Sequence, residues 1–119
     1  MDATNMLRVA CWIFALAAVG GLVMAGIRLG GNRNPPIAIA YAHGLLAGAG
    51  LTLLIYAVVA GSIGGRAMLA AWILVAAAAG GSALNLLYHW RQQPLPKGLM
   101  FGHIALALVG VILLFTAVY

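Results

Sequence analysis

The sequence predicts an all-α fold: an integral membrane four-helix bundle made of two parallel tandem repeats of a transmembrane helical hairpin. Three observations carry that prediction. Hydrophobic residues make up 66% of the chain and charged residues only 6%, against the roughly one quarter common in soluble domains. The few charges stand between long uncharged stretches, and mean hydropathy is +1.12. The chain also matches itself without gaps when Ala10 is laid on Ala70 and the register is kept throughout.

The uncharged stretches define the helices in order. Arg8 and Arg28 enclose the uncharged stretch 9–27. Its length is close to the roughly 20 residues that a helix rising about 1.5 Å per residue needs to cross the hydrocarbon core. Helix 1 is placed at 6–29. Arg33 and Arg66 enclose a longer stretch, 34–65, bounded inside by Pro35-Pro36 and by Gly61-Ser62-Ile63-Gly64-Gly65. Helix 2 fits between these breakers at 36–60. Arg66 and Arg91 enclose 67–90, giving helix 3 at 66–90. Everything after Lys97 is uncharged, giving helix 4 at 97–118. Strands are excluded because the runs lack alternation and because a barrel needs a polar inner face. The whole chain, 1–119, is one transmembrane domain, with repeat one at 6–60 and repeat two at 66–119. Val23-Met24-Ala25 resembles a signal-peptide cleavage site, but the segment that matches helix 1 lies in mid-chain, which argues for a retained span. Cys11 is the only cysteine, so it forms no internal disulfide and is read as an inert thiol, packed or facing lipid.

A formal net charge of +5 could suggest nucleic acid in a soluble protein. Here the basic residues stand at helix ends, where Lys and Arg meet lipid head groups, so the expected partner is the bilayer. Arg28, Arg33, Arg91 and Lys97 flank the first and third loops, while Arg8 and Arg66 mark the other side. This four-to-two bias puts both termini outside, with a bacterial inner membrane as the expected location. Trp12 and Trp72 toward one face and Trp90 toward the other fit aromatic belts.

The internal match pairs Ala10, Trp12, Ile13, Ala17, Gly20 and Gly21 with Ala70, Trp72, Ile73, Ala77, Gly80 and Gly81. Pro36 falls on Pro96 and His43 on His103. Ala and Leu matches are cheap in so biased a chain, whereas Trp, Gly-Gly, Pro and His in one register are not. Duplication is the expected origin. Two crossings per unit give both halves the same orientation, related by a pseudo-twofold axis along the membrane normal. Either helices 2 and 4 or helices 1 and 3 face each other across that axis. Gly20-Gly21 and Gly80-Gly81 are expected to make contact across it. The bundle closes within one chain or as a homodimer.

A histidine inside a span is costly unless it has a role. His43 and His103 each lie two helical turns beyond their matched prolines, about 10 Å along their helices from the same side. His43, Ala47, Gly50 and Leu54 share one narrow helix face, and His103, Ala107, Gly110 and Leu114 repeat it. Each imidazole is followed by two small residues, which leaves room for a flat group or for a close helix. Two imidazoles at one depth suit a bis-imidazole haem iron. Arg28, Arg33, Arg91 and Lys97 would face the propionates. On His43 and His103 and the four-span layout, the chain resembles the small membrane-embedded b-type cytochromes, which hold haem b between histidines of different helices. That resemblance implies electron transfer with a quinone or another redox partner. The dihaem members of that group place histidine pairs near both faces, whereas here all three histidines lie toward one side.

The competing reading is a duplicated packing histidine that hydrogen-bonds a carbonyl on a neighbouring helix. The chain would then be a cofactor-free structural or assembly subunit of a larger membrane complex. His89 has no copy, its match being Leu29. It reads as a head-group residue, or else as the partner of a propionate or a quinone carbonyl. Asn85 and Thr52 are expected to be satisfied between helices or, for Thr52, by the preceding turn. Tyr41 and Phe101 are expected to pack away from the histidines. Gly44 with Gly48 and Gly26 with Gly30 read as general tight packing. A small metal ion on two imidazoles alone would be under-coordinated. Small multidrug transporters resemble the chain in size and span count, but they rely on an embedded carboxylate, and the only acidic residue here, Asp2, lies outside the spans. No residue arrangement supports hydrolase or kinase chemistry.

Overall fold

The computed structural model describes residues 1–119. It contains α1 (Ala3–Gly31), α2 (Ile37–Ala60), α3 (Gly65–Ala83), a π-helical turn continuing α3 (Leu84–His89), and α4 (Lys97–Val118). There are no strands, and the four helical segments are each long and apolar enough to cross a membrane. The molecule is 43 Å long and 22 Å across, so its long axis exceeds the roughly 30 Å of a hydrocarbon core.

Local chemistry sets the helix ends. Asp2 caps α1 by accepting from the Asn5 backbone N–H at 2.8 Å, which starts the helix at Ala3, ahead of the start that the charge pattern suggests. Asn32, with φ 48°, ends it in the left-handed conformation that Asn tolerates. Pro36 and Pro96 stand immediately before α2 and α4, where a missing N–H costs nothing. At Gly61 the chain runs so close to α1 that an added Cβ would lie 2.7 Å from the Ala3 Cβ.

α1 packs on α2 and α4, and α3 packs on α4 and α2, which leaves α1 opposite α3 and α2 opposite α4. The two termini and the turn after α2 share one end. There Arg66 donates to the Thr116 carbonyl, and the Trp12 indole donates to the Tyr119 hydroxyl. The loops 32–36 and 90–96 meet at the other end. Arg28 donates to the Leu95 carbonyl, the Asn34 amide donates to the Gln93 carbonyl, and the Asn34 side-chain oxygen accepts from the Leu95 N–H.

Buried positions recur in matched pairs: Leu7 with Ala67, Ala10 with Ala70, Phe14 with Leu74, Ala17 with Ala77, and Leu54 with Leu114. Cys11 is fully buried where the second half has Ala71. Only 23 of 119 residues are buried, and Trp12, Leu16, Leu45, Val59 and Trp72 all face outward. An exterior this apolar leaves little contrast between the surface of the bundle and its core. The buried positions are rich in small residues, among them Ala10, Ala17, Ala57, Ala70 and Ala77, which allow the helices to pack closely.

The halves part company at the end of α3. α1 stays α-helical through Met24–Leu29, whereas the matching Leu84–His89 widens into a π turn. There the Trp90 N–H reaches back past the usual partner to the Asn85 carbonyl at 2.7 Å.

Candidate functional site

The histidines sit on α2 and α4, on opposite corners of the bundle, each toward the loop end of its helix. Each is held by the other helix of its own hairpin. Nδ1 of His43 lies 2.8 Å from the Ala17 carbonyl, and Nδ1 of His103 lies 2.7 Å from the Ala77 carbonyl, each bond joining positions 26 residues apart. A carbonyl only accepts, so Nδ1 carries the proton in both rings. In the neutral imidazole, Nε2 then keeps its lone pair.

Gly21 and Gly81 seat the rings. An added Cβ at Gly21 would fall 3.1 Å from Cε1 of His43, and at Gly81 it would fall 2.9 Å from Cε1 of His103. This corrects the expectation that the Gly-Gly pairs touch across the pseudo-axis. They face the histidine of their own hairpin, because Ala17 and Gly21 lie one turn apart on one helix face. The two rings approach to 6.2 Å between centroids with planes at 85°.

Both rings line a partly open cavity of about 560 Å³ between the hairpins, walled mainly by apolar side chains. Ala47 and Ala107 line it, as expected of small residues one turn from each histidine. Gly50 and Gly110 do not. Cβ atoms there would meet the side chains of Phe14 and Leu74, so these glycines make room for α1 against α2 and for α3 against α4. The helix face read as one strip thus divides into a cavity-lining part and a packing part.

The basic residues are placed differently from the histidines. Arg28 is buried and committed to the Leu95 carbonyl and the Asn32 side chain, so it ties the loops together. Arg33 lines a separate polar depression outside the cavity, beside Asn34 and Gln92. Arg91 and Lys97 are exposed and line neither space. His89 borders both spaces, and its Nε2 donates to the Pro35 carbonyl at 2.8 Å.

Two further expectations change. Tyr41 borders the cavity together with His43, and its ring lies 6.3 Å from Trp90. Asn85 also borders it, and its side chain makes no hydrogen bond to another helix. Thr52 bonds the Gly48 carbonyl of its own preceding turn. Sequence reading missed Asn34 altogether, although an Asn before two prolines signals a turn residue with side-chain bonds to offer. No group of three or more His, Cys, Asp or Glu side chains comes together as a metal site. Compared with protein-family models, curated proteins and solved structures, the chain finds no match.

Proposed function

We propose that this chain is a bilayer-spanning haem protein that arose by duplication of a helical hairpin. In this reading it holds one haem b between His43 and His103 and passes single electrons, with a quinone or another redox protein as partner. The observation that carries the reading is the state of the two imidazoles. Each spends Nδ1–H on a backbone carbonyl, the second-sphere bond that metal-ligating histidines usually make, and each keeps Nε2 for a ligand. Two imidazoles on one metal, at bonds of about 2 Å, have ring centres roughly 6 Å apart. The rings here are 6.2 Å apart, and both border a largely apolar cavity.

The haem would supply the one-electron couple. The protein's own work is to fix the imidazole tautomer through Ala17 and Ala77, to orient the rings against Gly21 and Gly81, and to exclude water with the small apolar walls. Arg28 is already committed to the loops, so it contributes positive potential near the site rather than a direct bond to a propionate. With all three histidines toward the loop end, the chain provides one redox station and not a path across the whole bilayer. In this reading the termini are outside and the loops 32–36 and 90–96 are cytoplasmic, following the four-to-two basic bias.

One observation favours the alternative of a cofactor-free structural subunit: each histidine is already satisfied inside its own hairpin. An absorption spectrum of protein purified after expression with ample haem separates the two. The haem reading expects a Soret band that shifts on reduction, a low-spin six-coordinate form, and loss of that form in His43→Ala and in His103→Ala. Colourless protein whose histidine variants lose only stability would establish the structural reading instead.

A further inference from the structure

The two halves of the cavity wall are not equivalent. Where α1 has Leu22, Ala25 and Leu29, the α3 segment has Ser82, Asn85 and His89. Where α4 has Phe101, Ile104 and Leu108, α2 has Tyr41, Gly44 and Gly48. All six residues of the α2–α3 side border the cavity. That side is therefore both more polar and less bulky than its image. Added Cβ atoms at Gly44 and Gly48 would meet nothing within 4 Å, so the wall is open there.

The polar groups on this side are free to bind. The side-chain hydrogen bonds among the cavity residues are those of His43, His89 and His103. Tyr41, Ser82 and Asn85 are left with none. Ser82 and Asn85 border the cavity as their images Leu22 and Ala25 do, whereas His89, at the end of the π turn, borders it and its image Leu29 does not. His89 is held by Pro35 through Nε2, which leaves Nδ1 as an acceptor at this end of the cavity.

We infer that the α2–α3 side of the cavity is a binding site for a neutral membrane-dissolved amphiphile, reached laterally from the bilayer at the loop end. Its head carries one or a few hydrogen-bonding oxygens. The chemistry of the lining selects that class. A carboxylate or phosphate head would need a free cation, but Arg28 is tied to Leu95 and Asn32, and Arg33, Arg91 and Lys97 lie outside the cavity. A cationic head would need an acid, and the single acidic residue, Asp2, is at the other end of the molecule. A sugar head would need many more partners than Tyr41, Ser82, Asn85 and His89 supply. A hydroxyl or carbonyl on a flat or slender body meets both donors and acceptors, and its chain runs out past Gly44, Gly48 and Leu86.

The site rests on the reading that the chain spans a bilayer but not on haem, which would compete with the amphiphile for the space that His43 and His103 also line. The test is photo-crosslinking of the full chain in phosphatidylcholine vesicles with three diazirine probes of equal chain length: an alkylphenol, a fatty acid and a lysophosphatidic acid. The expected result is preferential labelling by the alkylphenol, confined to peptides containing 41–48 and 82–90. Loss of one hydrogen bond in Asn85→Leu or Tyr41→Phe should reduce that labelling about two- to tenfold. Tyr41→Phe copies the residue of the other half, so it keeps the proposal testable if Asn85→Leu does not fold. Equal labelling by all three probes, labelling centred on α1 and α4, or no effect of either substitution would overturn the site. Recovery of the chain in the alkaline-extracted membrane fraction, with a spectrum of the same sample, reports on the bilayer and haem readings separately.

Discussion

Each imidazole is positioned by what a neighbouring residue lacks. A side chain at position 81 would place Cβ 2.9 Å from Cε1 of His103, while one at position 80 would lie 3.8 Å from the His103 Cβ, an ordinary contact. Gly81→Ala is therefore expected to force the ring off the Ala77 carbonyl and destabilise the bundle by about 1–3 kcal/mol. Gly80→Ala should be nearly silent, or slightly stabilising through helix propensity. Thermal unfolding in detergent measures both, and equal effects of the two would show that the ring is not seated on Gly81. The same contrast applies at Gly21, where the gap of 3.1 Å is looser and a smaller loss is expected. In the haem reading, Gly81→Ala also perturbs the low-spin spectrum and Gly80→Ala does not. The histidines themselves were legible in the sequence because ionisable groups are rare in apolar spans. Their carbonyl partners were not, since every residue has a carbonyl and only packing selects Ala17 and Ala77.

The loops at the histidine end act as one element. Asn34 alone makes two bonds to loop 90–96, donating to Gln93 and accepting from Leu95, and His89 returns a third through Pro35. Asn34→Ala removes two bonds and leaves the Leu95 N–H unpaired, at a cost of about 1–3 kcal/mol. Asn34→Asp keeps the acceptor and should lose less. A denaturation series that ranks Asp at or below Ala would contradict this account of the clamp. Helix number, order and approximate spans were readable from charge spacing and prolines. The π turn was not, because Leu84–His89 carries no Pro or Gly to announce it. Only its mismatch with Met24–Leu29 in polarity pointed there. The roles given to the basic residues shifted for a similar reason. Position near a helix end says where a guanidinium begins, and Arg28 reaches inward to Leu95 from that point.

At the scale of the molecule, all four spans run between one end holding Arg8 and Arg66 and another holding Arg28, Arg33, Arg91 and Lys97. The proposed orientation predicts that single cysteines placed in the 32–35 loop of a Cys11→Ala background react only after the cytoplasmic side is opened. Cysteines placed in the 62–64 turn should react in intact cells. The reverse pattern would invert the topology. Arg33→Glu with Arg91→Glu removes two of the four basic residues on that side and levels the Lys and Arg count at two each, so mixed or inverted labelling is expected. Cys11 is fully buried against the other core residues of the terminal end. The native thiol should therefore stay unlabelled in the folded protein and become reactive as the helices part.

The seating of each imidazole on a glycine has a consequence for recognising kin of such a hairpin. The carbonyl at position 17 can come from any amino acid, but the bare surface at position 21 can come only from glycine. What drift can least alter is thus a pairing of one glycine with a later histidine, present as Gly21 with His43 and again as Gly81 with His103. Change in the connecting loop would alter the interval without touching the contact. Diverged kin are expected to keep or lose the second glycine and the histidine together in each half, and an alignment in which the two vary independently would refute this.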